Sequence, residues 1–199
     1  MKPILSSVYL GNIDYYTILN QHDAVVIDIY EHFQKQSYRN RSVIHGANGA
    51  LNLIIPLTKR GIRTKMKDVK IDNTQRWQHL HWRSIESAYR SSPYFEYYED
   101  DFKPFYTQEY NLLTDFNQAI QQTVLDLIGI DVELSQTTSF EKVENEDYRM
   151  LLHPKKVPSS HYLEQKYTQV FSDRNGFIPN LSILDLLFNE GPNAINFLG

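Results

Sequence analysis

Seven consecutive residues, Lys35-Gln36-Ser37-Tyr38-Arg39-Asn40-Arg41, bring together three cations, two amides and a phenol. Asp28 and Glu31 stand just before them, after the apolar run Ala24-Val25-Val26-Ile27. Arginine presents a planar fork of donors that matches phosphate or carboxylate in a bidentate way, so the group points to an anionic ligand. Read as extended chain, residues 35–43 place Lys35, Arg39 and Arg41 on one face as a phosphate track, with Gln36, Tyr38 and Asn40 on the other. Asn40 would orient a carbonyl or a hydroxyl. Asp28 ends a strand, where open α/β sheets place their ligands, and is a candidate proton acceptor. Ser6, with Ser7, lies in the first strand-to-helix region, where backbone N–H groups can hold an anion. His79 and His81 lie two apart on a predicted helix and point in different directions, so no metal site is expected. His81 remains a candidate general base, beside Trp77 on a helix that is half core and half cleft wall. Phosphate-loop, nucleophile-elbow and zinc-protease motifs are absent, and no hydrolase triad can be assembled.

The elements that would position these groups begin with a strand at Ile4–Leu10. A helix at Ile13–Asn20, capped by Asn12, and a strand at Ala24–Tyr30 follow. Strand, helix, strand in about 30 residues is how a parallel α/β unit starts. Ser42–Gly46 and Ala50–Leu57 read as further strands around the small, polar run Gly46-Ala47-Asn48-Gly49. The cationic run Lys59-Arg60-Gly61-Ile62-Arg63-Thr64-Lys65-Met66-Lys67 suits an exposed loop, and Lys67–Ile71 a short edge strand. From Thr74 the period becomes helical: Trp77 to Tyr89, part of Pro93–Tyr106, and Leu112–Ile128 ended by Gly129. Val132–Thr138 could return to the sheet. Residues 141–166 read as an irregular segment of the kind that forms lids. Tyr167–Phe171 reads as a strand, and Asn180 as the cap of a helix closed by Gly191-Pro192. The fold expected is α/β: one domain over residues 1–199, with a mixed, mostly parallel central sheet from the N-terminal part and helices packed on it.

The 199 residues carry a formal net charge of −4, unevenly spread. Residues 1–90 hold 13 Lys+Arg against 7 Asp+Glu, or +6; residues 91–199 hold 7 against 17, or −10. A basic N-terminal half would draw in an anionic small molecule. Nucleic acid is not expected, since the pI is near 6.0 and no binding motif occurs. No cysteine is present, which removes disulfides, thiolate metal sites and thiol nucleophiles. No secretory leader and no apolar run long enough for a membrane span is evident, so the expected location is cytoplasmic.

Several blocks taken in order resemble the WbqC-like proteins. They are Tyr9-Leu10, Asp28, Lys35 to Arg41, Asn48-Gly49 with the strand to Pro56, and Lys67-Asp68-Val69-Lys70-Ile71. Trp77 to His81, Tyr89 to Phe95 and Leu181 to Asn189 complete the pattern. The resemblance implies a role in bacterial surface-polysaccharide assembly of the O-antigen kind, by transfer of a glycyl, other amino-acid or acyl group to a sugar. The ligands implied are an anionic activated donor and a sugar acceptor, with no particular cofactor indicated. Substrate contacts are expected from Ser6, Tyr9, Lys35, Tyr38, Arg39, Arg41 and Trp77, and chemistry from Asp28, Asn40 and His81. One block departs from the family: relatives open with Gln-Pro-x-Tyr-Leu-Pro-Trp, and here the matching positions read Ser6-Ser7-Val8-Tyr9-Leu10-Gly11-Asn12. A non-catalytic reading competes, in which the aromatic run Tyr94–Tyr106 docks a protein of a glycan-assembly pathway.

Overall fold

A computed structural model describes residues 2–59, 61, 63–140, 142, 146–150 and 152–199. Arg60 and Ile62 of the cationic run, and Glu141, Val143, Glu144, Asn145 and Leu151 of the expected lid, lie outside the described residues.

The central sheet has three parallel strands, β1 (Ile4–Ser6), β2 (Ala24–Asp28) and β5 (Glu133–Gln136), with β2 in the middle. Ser6 pairs with Asp28, and Ile27 with Gln136, so the carboxyl ends of all three strands share one edge. On the outer side of β1 a single parallel bridge joins Ile4 to Asp147. Helix α1 (Ile13–Asn20) links β1 to β2 and is buried from Ile13 to Leu19. Asn12 caps it as expected, its side chain accepting from the Tyr15 N–H at 3.3 Å.

β3 (Arg41–Gly46) and β4 (Gly49–Ile54) do not join that sheet; they form a separate antiparallel hairpin. Gly46 pairs with Gly49, and Gly49 has φ of +101°, a value the tight turn needs and a side chain resists. The hairpin is anchored through the chain that follows β1. The Leu10 carbonyl accepts from the Ser42 and Ser182 hydroxyls at 2.9 and 3.1 Å. Leu10 itself has φ of +43°, and the backbone leaves the extended conformation after Ser6. The expected strand to Leu10 is therefore only three residues long.

Helices α2 (Trp77–Tyr89), α3 (Phe95–Phe102), α4 (Leu113–Ile128) and α6 (Ile183–Glu190) carry much of the aromatic and aliphatic core. α5 (Ser172–Asn175) is a single turn. Gly129 ends α4 in the left-handed conformation. α6 is capped by Ser182 rather than Asn180, whose side chain instead accepts from the Asp14 N–H at 3.0 Å. Two expected strands do not form. Met66–Asp68 is a turn of 3-10 helix flanked by isolated bridges, and Tyr167–Phe171 has no strand partner. Among the described residues no helix is long and apolar enough to cross a membrane.

Phe95, Tyr98, Phe102 and Tyr106, four of the seven aromatics in Tyr94–Tyr106, are core residues, and only Tyr97 is fully open, at 81% exposure. Much of the run therefore fills the interior, and Tyr97, with the half-buried Tyr94 and Phe105, is what it presents outward.

Candidate active site at the carboxyl edge of the parallel sheet

Two buried arginines organise the edge where β1, β2 and β5 end. Arg39 is the largest fully buried side chain. Its Nε and Nη2 donate to the two Glu31 oxygens at 2.9 and 2.5 Å, and Nη2 also reaches the Ser6 hydroxyl at 2.9 Å. Arg149 forms a second fork, with Nε and Nη2 on the Asp147 oxygens at 2.9 and 2.5 Å, while Nη1 donates to Asp28 Oδ2. The other Asp28 oxygen accepts from the N–H groups of Tyr30 and Glu31, at 2.8 and 3.0 Å, and from the Thr137 hydroxyl at 2.9 Å. Burial raises the Glu31 pKa, and the Arg39 fork opposes the rise. Asp147 is held below the usual carboxylate range because its bonds to Arg149 outweigh partial burial. Beside this network opens a cleft of about 480 Å³. Glu31, Asp147 and Arg149 form its inner wall, His32 and Lys142 add polarity, and Phe140 and Met150 are its apolar side.

The structure separates the expected site residues into three groups. Ser6, Asp28 and Arg39 converge on the network just described. Tyr9, Trp77 and His81 meet elsewhere, in a buried aromatic cluster with Phe116. There the Tyr9 hydroxyl bonds His81 Nδ1 at 3.0 Å and the Tyr106 hydroxyl at 2.8 Å. Burial lowers the His81 pKa to about 4, so the imidazole is neutral at physiological pH. Tyr38 and Arg41 form the third group. Residues 35–40 are a turn, with Gln36 at φ of +59°, not the extended strand that would align three cations. Lys35 is exposed on that turn, and Asn40 is spent on structure, donating to the Ile55 carbonyl at 2.8 Å.

Arg41 opens β3 and is half-buried. Its Nε is shielded from solvent and has no hydrogen-bond partner among the described residues. The Arg41 charge acts on Tyr38 and His153, which with Lys156 and Asp14 line a small hollow nearby; the Asp14 oxygens are already taken by Ser159. The Tyr38 hydroxyl is pushed up to about 12 by burial and the Asp14 charge, against the pull of Arg41. His153 is lowered by burial first, then by Arg39, Lys155, Lys156 and Arg41, a measure of how much positive charge gathers here. Asp147, Arg149 and Met150 line the cleft, and Leu152, His153 and Lys156 line the hollow. Gln34 Nε2 donates to the Met150 sulfur at 2.8 Å and Lys155 Nζ to Gln36 Oε1 at 3.2 Å.

Sequence reasoning missed Arg149 and Asp147, which sit in the polar stretch read only as a lid. The faint signal was an acid two residues from an arginine. Among the described residues no group of three His, Asp or Glu side chains could hold a metal ion.

The sequence model of the WbqC-like protein family matches residues 7–175 and 160–197. An uncharacterised protein of Mycobacterium tuberculosis is 23% identical over 222 residues, covering 98% of this chain and 96% of its own. No solved structure matches the chain.

Proposed function

We propose, from the premise that the chain belongs to the WbqC-like protein family, that it is a cytoplasmic transferase. It moves an amino-acid or acyl group from an anionic, activated donor to a sugar, in surface-polysaccharide assembly. The observation that carries the reading is Arg41: a half-buried guanidinium whose shielded Nε lacks a partner among the described residues, and whose charge reaches His153 together with those of Lys155 and Lys156. A buried donor left unbonded in a cationic hollow is a place for an anion's oxygens. The donor's phosphate would sit there, and its transferable carbonyl would reach the cleft at the strand ends. Arg39 and Arg149 are saturated by carboxylates, so they shape the cleft and leave the ligand charge to Arg41 and the lysines. Asp28, with both oxygens engaged, acts by fixing Arg149. In the transfer step the acceptor's hydroxyl or amine adds to the donor carbonyl and gives its proton to a phosphate oxygen of the departing group. The bond to the phosphate-bearing leaving group breaks, and its developing charge falls beside the cationic hollow.

The test is thermal denaturation of the purified protein with inorganic phosphate, pyrophosphate and nucleoside diphosphates, in parallel with Arg41→Ala. Ligand that binds only the folded state raises the melting point by mass action. A charge-assisted bond of about 1.5–3 kcal/mol predicts roughly 10–100-fold weaker binding in Arg41→Ala. An equal shift in both proteins would overturn the assignment.

A further inference from the structure

Along β2 successive side chains point to opposite faces of the sheet, so Asp28 lies on one face and Ile27 and Ile29 on the other. The charged cleft belongs to the first face. On the second, at the same carboxyl edge, is a separate slot of about 130 Å³ between β2, β5 and α4. Ser7, Thr114 and Gln121 are buried in it, and Gln118, Gln122 and Gln136 stand exposed around its mouth. Ile27, Ile29 and Leu134 supply apolar wall, and no Asp, Glu, Lys or Arg lines it.

The hydrogen-bonding groups inside the slot are fixed in direction and only partly used. The Tyr15 hydroxyl donates to the Ser6 carbonyl at 3.1 Å, so it must accept from Gln121 Nε2, also at 3.1 Å. That sets the amide orientation and leaves Gln121 Oε1 as an acceptor without a partner among the described residues. Ser7 Oγ accepts from Asn117 Nδ2 at 3.2 Å, which leaves its own O–H to give. The Thr114 hydroxyl has no partner among the described residues, and Asn117 Oδ1, deeper in α4, is also unbonded. A donor, an acceptor and a hydroxyl that can be either thus stand beside a C–H-rich wall, in a volume of roughly four waters.

We infer that this slot is a binding site for an uncharged, hydroxyl-rich ligand, a single pyranose ring in size class. Sugar hydroxyls give and take hydrogen bonds as the floor requires, and the ring's C–H face suits Ile27, Ile29 and Leu134. An ionised ligand would lose its hydration with no counter-charge to replace it. The inference follows from the lining alone and does not rest on the transfer reading.

Saturation-transfer NMR on the full chain tests it. The probes are uncharged methyl pyranosides, with glucuronate and a hexose phosphate as charged counterparts. The variants are Thr114→Val, nearly isosteric, and Ser7→Ala, each checked for an unchanged fold by circular dichroism. The uncharged probes should bind saturably in the parent and about 3–10-fold more weakly in each variant, from the loss of one hydrogen bond. Hexose phosphate binding, if present, should respond to Arg41→Ala and not to Thr114→Val. No saturable signal from any uncharged pyranoside, or equal signals in parent and both variants, would show that the slot holds only water and would sink the inference. Phosphate binding that still depends on Arg41 would leave the transfer reading standing.

Discussion

Replacing Arg39 by Met should unfold the protein some 10 °C earlier, and the deficit should depend on pH in a defined direction. Met keeps the buried stem and removes the guanidinium, whose two bonds to Glu31 lie at 2.9 and 2.5 Å with both side chains almost fully shielded. Breaking a buried pair from one side costs about 3–5 kcal/mol, because the remaining charge is left unpaired. At about 2.1 cal/mol/K per residue, unfolding of this chain carries an entropy near 0.4 kcal/mol/K, so about 4 kcal/mol corresponds to about 10 °C. Without Arg39, the Glu31 carboxyl, already raised by burial, rises further and is protonated in the fold. The folded state then binds more protons than the unfolded one above the ordinary carboxylate pKa, so the variant's stability is kept at low pH and lost as pH rises. Glu31→Gln removes that dependence. In the double variant the two losses should fall short of additivity by about 2 kcal/mol, the coupling of neighbours that share a bond. Calorimetric melting of the four proteins between pH 4.5 and 8 (a range set about the ordinary carboxylate and imidazole pKa values) decides the matter. A melting point for Arg39→Met within about 2 °C of the parent, or losses that simply add, would refute the account.

Two further outcomes follow from the core. His81, neutral because burial lowers its pKa to about 4, favours the fold fully above the ordinary imidazole pKa. That contribution should fade as pH drops from about 6.5 to 4, by up to about 3 kcal/mol. NMR should show its ring signals unmoved down to pH 5, whereas titration near 6.5 would contradict the burial argument. Gly191 has φ of +56°, and a β-carbon there would fall within the Tyr94 ring, so Gly191→Ala should lower stability by about 2–4 kcal/mol in a denaturant melt.

How much of this was legible beforehand can be read from individual residues. α1 with its Asn12 cap, β2, and α4 ended by Gly129 were all visible, because capping side chains and periodicity act locally. The segment 35–40 misled, since alternating cations suit a strand as well as a turn. Only its tertiary partner, Glu31, shows that Arg39 is buried and Lys35 is not. The strands β3 and β4 were legible, but not that they pair only with each other, because a β-rich pair does not say which edge it joins. One signal was present and unread. Thr114, Asn117 and Gln121 interrupt the apolar stripe of α4 at helical spacing, on its buried side. Polar groups there need partners, and their spacing already marked the wall of a polar slot.

The single bridge between Ile4 and Asp147 sets an order on events during synthesis. Asp28, Glu31 and Arg39 leave the ribosome early, yet Arg149, which neutralises Asp28, is more than a hundred residues behind them. Until it arrives, the carboxyl edge of β1 and β2 holds two acids against one base, and β5 has only just become able to pair. Contacts so distant in sequence form late, so the charged cleft closes only after about three quarters of the chain has been made. A chain stalled before that point would lack Arg149 in the cleft and also Ser182, which ties the hairpin to the chain after β1. An intact network at this edge therefore requires a chain made at least as far as Arg149.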